Sequence, residues 1–84
     1  MTRFTVVWHA DACDELARLW IGATDRRALR SAADAIDREL AVDAPLKGSG
    51  IPDGLRQLTV APLRVLFAVS EADRMVRVLE VAWS

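Results

Sequence analysis

The last 30 residues of this 84-residue chain hold three runs suited to β-strands, residues 55–60, 63–70 and 74–83, joined only by Ala61-Pro62 and Glu71-Ala72-Asp73. Links this short cannot cross over a sheet, so the runs must pair as antiparallel hairpins. No other feature constrains the fold as tightly. In the middle run Leu63, Val65, Phe67 and Val69 fall on one face and Arg64, Leu66, Ala68 and Ser70 on the other, because side chains alternate along a strand. One face is wholly apolar and needs a cover, which leaves Arg64 on the opposite, open face.

The first half of the chain supplies that cover. Residues 3–8 are β-branched and aromatic, and their alternation places Phe4, Val6 and Trp8 on one face of a first strand. From Ala10 the apolar period changes to three and four: Ala12 or Cys13, Leu16, Leu19 or Trp20, then Ala23. Asp11, Asp14 and Glu15 load the first turn with the charge that a helix N-terminus favours. The spacing predicts a helix over 11–21, with Gly22 as its C-terminal cap. Thr24 is then the expected N-cap of a second helix with the stripe Leu29, Ala33, Ile36 and Leu40. The short link predicts an antiparallel helix hairpin. Asp43-Ala44-Pro45 ends the second helix, and the stretch through Gly48, Gly50, Pro52 and Gly54 reads as a loop. The expected architecture is α+β, in the order β-α-α-β-β-β, with a helix hairpin packed on one face of a small, mainly antiparallel sheet. A chain of this length makes one domain, residues 1–84.

With 52% apolar and 27% charged residues, the composition is that of a folding chain and not a disordered one. No apolar run approaches the roughly 20 residues of a membrane span, and no signal-peptide core precedes a cleavage site. The expectation is a cytoplasmic protein with no membrane partner. One cysteine, Cys13, and one histidine, His9, give neither an internal disulfide nor a zinc ligand set, so no metal or cofactor is expected. The formal charge is −1, with 6 basic and 8 acidic residues in 1–46 and 5 and 4 in 47–84. That balance is unlike the strongly basic stripe of a typical nucleic-acid binder. Trp8, Trp20 and Trp83 each sit in a periodic apolar pattern, which points to core or interface use.

The order of elements, with Pro52-Asp53-Gly54-Leu55-Arg56 opening one strand and Pro62-Leu63-Arg64-Val65-Leu66-Phe67 forming the next, resembles the RelE/ParE superfamily of bacterial type II toxin-antitoxin toxins, the plasmid stabilisation proteins. The likeness spans nearly the whole chain and includes Lys47-Gly48 in the loop. It implies that Arg64 and Arg56 are catalytic residues on the open sheet face, holding the scissile phosphate of mRNA on the ribosome. It also implies that Lys47 contacts RNA, and Arg77, on the last strand, is a further candidate RNA contact. Guanidinium groups suit that work, because their planar fork binds two phosphate oxygens and can stabilise charge developing on the phosphorane without a metal. The resemblance further implies a cognate antitoxin that covers an apolar groove beside the helices and an open sheet edge; the apolar pattern makes Trp83, at the end of the last strand, and Trp20 its candidate contacts. The sequence departs from the nuclease pattern in three places. Leu58 stands where a second lysine is common, the chain has no tyrosine, and it stops at Ser84 where an arginine and a tyrosine would follow. Three functions therefore remain open: an mRNA interferase that inhibits translation as a ribosome-dependent endonuclease, a ParE-like inhibitor that binds DNA gyrase without catalysis, and a degenerate member that binds only an antitoxin.

Overall fold

Alternation and helical stripes resolve into seven strands and α-helices in the computed structural model, which describes residues 1–84, with short 3-10 turns at Ala44–Leu46 and Pro52–Gly54. The seven are β1 (Thr5–Trp8), α1 (Ala10–Gly22), α2 (Arg26–Leu40), β2 (Ser49–Gly50), β3 (Arg56–Val60), β4 (Leu63–Ser70) and β5 (Met75–Trp83). The strands form one open sheet in the order β1-β5-β4-β3-β2. β1 runs parallel to β5, and every other pair is antiparallel.

The apolar face of β4 is the floor of the core. Leu63, Val65 and Phe67 are at most 1% exposed, and Val81, Val78 and Val76 lie opposite or beside them on β5, also buried. Over this floor α2 lays Leu29, Ala32, Ile36 and Leu40, spaced by three and four residues, all buried. α1 adds Ala12, with Leu16 and Leu19 packed against the cluster. Burying each of the larger side chains contributes about 1.5–3 kcal/mol. The two helices thus make one layer over a mostly antiparallel sheet, the α+β arrangement that the alternation and stripes predict.

Local details differ from the sequence expectation. α1 starts one residue early because His9 caps it, its Nδ1 accepting from the Asp11 N–H at 3.5 Å. Gly22 is the last helical residue, and the extended Ala23 closes the helix, so no left-handed cap glycine is used. Asp25 caps α2 in place of Thr24, its carboxylate accepting from the Ala28 N–H at 3.0 Å. Its charge also faces the positive end of the helix dipole. Ala32, not Ala33, completes the buried stripe. Finally, the glycine-rich stretch is not all loop: Ser49 and Gly50 pair with Gln57 and Arg56 as an edge strand. Gly48 permits that approach, since its φ of +63° is left-handed and a Cβ there would run into the backbone oxygen of Gln57.

Ile36→Ala and Phe67→Ala should each lower the unfolding free energy by roughly 2–5 kcal/mol in urea titrations, as expected for fully buried side chains. Losses below about 0.5 kcal/mol for both would contradict the assigned core faces.

Candidate functional site

The turn of Ala61 and Pro62 pairs Val60 with Leu63, and the rest of that hairpin follows: Thr59 opposes Arg64, Leu58 opposes Val65, Gln57 opposes Leu66 and Arg56 opposes Phe67. Residues directly opposite in an antiparallel pair share a face. The face away from the helices therefore carries Gln57 and Thr59 from β3 and Arg64, Leu66 and Ala68 from β4. β5 adds Ala82, Glu80 and Arg77 to it.

Arg64 stands on this open face as expected, exposed and in no ion pair. Arg56 does not. It opposes the buried Phe67 on the helix side, where its Nε donates to the Lys47 carbonyl oxygen at 2.8 Å and its Nη2 to the Gly48 carbonyl oxygen at 3.2 Å. Arg56 is a strut under the loop that carries β2. A step of one residue along a strand exchanges faces, and counting back from the turn puts Arg56 on the wrong side to meet a phosphate beside Arg64.

Nor does Lys47 join Arg64. Its Nζ lies 2.7 Å from the Glu39 Oε2 on α2. The Lys47 hydrogen bond, and then its charge, hold the Glu39 carboxyl below its ordinary value, against a small opposing effect of burial. Arg77 shares the open face but opposes Ala68, which is four residues along β4 from Arg64, an offset of about 13 Å along the strand at 3.3 Å per residue.

What shares a concavity with Arg64 is Glu80. Together with Gln57, Leu66 and Ala82 they line a concavity of about 250 Å³ on the open face. A β-bulge puts Glu80 there. Leu66 opposes Glu80 while Phe67 opposes Val78, so Leu79 is left without a partner. Uninterrupted alternation from Val76 and Val78 would have turned Glu80 inward. The extra residue instead buries Val81 at 4% exposure and turns Glu80 out. The signal in the sequence is the valine spacing, two residues from Val76 to Val78 and then three to Val81.

A second concavity, about 630 Å³ and largely apolar, opens between the helices. Trp8, Leu16, Trp20, Ile21 and Ala33 line it, with Asp37 at its rim accepting a 2.8 Å hydrogen bond from the Trp8 Nε1. Ile21 is 75% exposed and Trp20 38%. Trp83 lies elsewhere, opposite Leu63 at the end of β5 and 53% exposed, so the two tryptophans do not form one surface. No cluster of three or more histidine, cysteine, aspartate or glutamate side chains is assembled for a metal ion, and no helix is long and apolar enough to cross a membrane.

No protein-family model and no curated protein matches the sequence. The fold, however, is shared with solved structures. The chain superimposes on one from the toxin-antitoxin complex RelBE2 of Mycobacterium tuberculosis with a TM-score of 0.83 at 18% identity, covering 100% of this chain and 94% of that one. For the archaeal RelE-RelB complex of Pyrococcus horikoshii the TM-score is 0.70 at 19% identity, with 99% and 96% covered. For the chromosomal ParDE toxin-antitoxin system of P. aeruginosa it is 0.67 at 17% identity, with 96% of both chains covered. This chain has the fold of the RelE/ParE toxins.

Two outcomes follow from the placement of the charges. Arg56→Ala should lower stability by about 1–3 kcal/mol, since it frees two loop carbonyls, while Arg64→Ala should change it by less than about 0.5 kcal/mol. Equal effects in thermal melts would contradict the division of the two arginines between faces. The Glu39 carboxyl should titrate below its ordinary value by NMR and rise in Lys47→Ala. Because the folded-state value is the lower one, this pair supports the fold above the unfolded-state value and loses that contribution as pH falls through the folded-state one.

Proposed function

We propose that this chain is a single-domain toxin of a type II toxin-antitoxin system that acts in the cytoplasm and stops translation by cutting mRNA on the ribosome. The observation that carries the reading is the unpaired Arg64 guanidinium above the open-face concavity. A planar fork with no protein acceptor is free to take two oxygens of a phosphate and to hold the charge that grows on it during displacement. Support for the toxin lineage is the fold, which runs the full length of the chain in the likeness to a toxin-antitoxin complex.

The same geometry supports an activity that depends on the ribosome. Lys47 is engaged by Glu39 and Arg56 by the loop, so one cation is left at the concavity. Few neutralised phosphates mean weak, salt-sensitive attraction to free RNA. The ribosome would then supply the in-line orientation of ribose and phosphate. The groove between the helices is the surface we assign to the antitoxin, with Trp20 among its contacts, because an exposed apolar concavity of this size suits an amphipathic segment.

A second reading, binding and inhibition of DNA gyrase without catalysis, is favoured by one observation: Arg56, a catalytic residue in the nuclease reading, is committed to the loop. Induced expression separates the two. The nuclease reading predicts growth arrest with mRNA cut in programmed ribosomes, little cutting of naked RNA, unchanged gyrase supercoiling, and relief of arrest by Arg64→Ala. Efficient cutting of naked RNA, or supercoiling inhibition with intact mRNA, would overturn it.

A further inference from the structure

Cleavage of RNA by its own 2′-hydroxyl needs a group to take the hydroxyl proton. The chain has no tyrosine, and its histidine, His9, caps α1 and is not among the residues lining the concavity that holds Arg64. Within the concavity that holds Arg64 the sole carboxylate is Glu80; the other lining side chains are Gln57 and apolar residues. Arg64 opposes Ala82, and Glu80, two residues before Ala82, opposes Leu66. The two charged residues are therefore diagonal neighbours on one face, about 7–8 Å apart at their Cα atoms. Yet they do not close into an ion pair. Each is free to engage a substrate that bridges them, as a phosphate and its adjacent ribose would.

The backbone makes a local exception to place Glu80 there. The bulge at Leu79 interrupts the longest pairing in the sheet and reverses the faces of the four residues after it. Without it, Glu80 would point at the core. Bulges at such places commonly re-aim one side chain.

From these observations we propose that Glu80 is the general base of the site, an inference that rests on the endonuclease reading above. The Glu80 carboxylate takes the proton of the ribose 2′-hydroxyl. The 2′-oxygen forms a bond to phosphorus, with the non-bridging oxygens held by Arg64, and the bond from phosphorus to the 5′-oxygen breaks. The departing 5′-oxygen keeps the electron pair and takes a proton from water. The hydroxide so formed removes the proton from Glu80 and restores the carboxylate. The products are a 2′,3′-cyclic phosphate and a 5′-hydroxyl. Asp11, Asp14, Glu15 and Arg18 of α1 line a separate concavity together with Glu80, and none of the four lines the one that holds Arg64.

The test is single-turnover cleavage of mRNA in programmed ribosomes by the full chain and its Glu80→Gln and Glu80→Asp variants, alongside ribosome binding and thermal melts. Glu80→Gln should slow cleavage by about 100- to 10,000-fold with binding no weaker and the melting midpoint unchanged, and Glu80→Asp should restore a measurable part of the rate. If Glu80 merely sat near Arg64, removing its charge would strengthen phosphate binding and speed cleavage, the opposite sign. A Glu80→Gln rate within about threefold of the parent, or faster, overturns the assignment while leaving the endonuclease reading intact. A parent chain that leaves ribosomal mRNA uncut overturns both.

Discussion

The pairing of β4 with its two neighbours decides what every charged residue of the sheet can do. On one side a two-residue turn fixes the register with β3, and on the other a one-residue bulge shifts the register with β5. The driving force is the apolar face of β4. Leu63, Val65 and Phe67 are buried under α2, and turning that face outward would expose all three while burying Arg64. An unpaired guanidinium in a dry core costs several kcal/mol, so the hydrophobic face and the charge impose the same orientation. Arg64 is presented to solvent because the core needs its neighbours.

That orientation accounts for what was legible in the sequence. The hairpins of β3, β4 and β5 follow from links too short to cross over, and the faces of β4 from strict alternation. The helices follow from their stripes, although the choice between Ala32 and Ala33 was beyond a pattern in which adjacent alanines are equally apolar. Motif order implies the open face for Arg56, but the face a strand residue takes follows from its count from the turn. The pair Val60 and Leu63 already implies that Arg56 meets Phe67. β2 was invisible for a different reason. Two residues have no periodicity, and their pairing depends on Gly48 and on the hydrogen bonds of Arg56 to the loop. Glu80 was missed because alternation assumes an uninterrupted ladder.

The result is a molecule with two differently built surfaces. Between the helices lies an apolar groove with partly exposed Trp20 and exposed Ile21. Across the sheet lies a small polar concavity with one guanidinium and one carboxylate that leave each other free. The proposed functions fall on these surfaces separately, a protein partner on the helix side and RNA on the sheet side. Arg56 and Lys47 serve neither directly. They hold the loop between α2 and β3 in place, which keeps the edge of the sheet closed by β2.

The two registers of β4 place Arg56, Arg64 and Glu80, and cross-strand backbone NOEs in the isolated protein measure them directly. The registers described here predict contacts of Thr59 with Arg64, Arg56 with Phe67, Leu66 with Glu80 and Phe67 with Val78. Contacts of Arg56 with Leu66 and Leu58 with Arg64 would return Arg56 to the open face. Contacts of Phe67 with Leu79 would remove the bulge that brings Glu80 to Arg64, and either result would contradict the account.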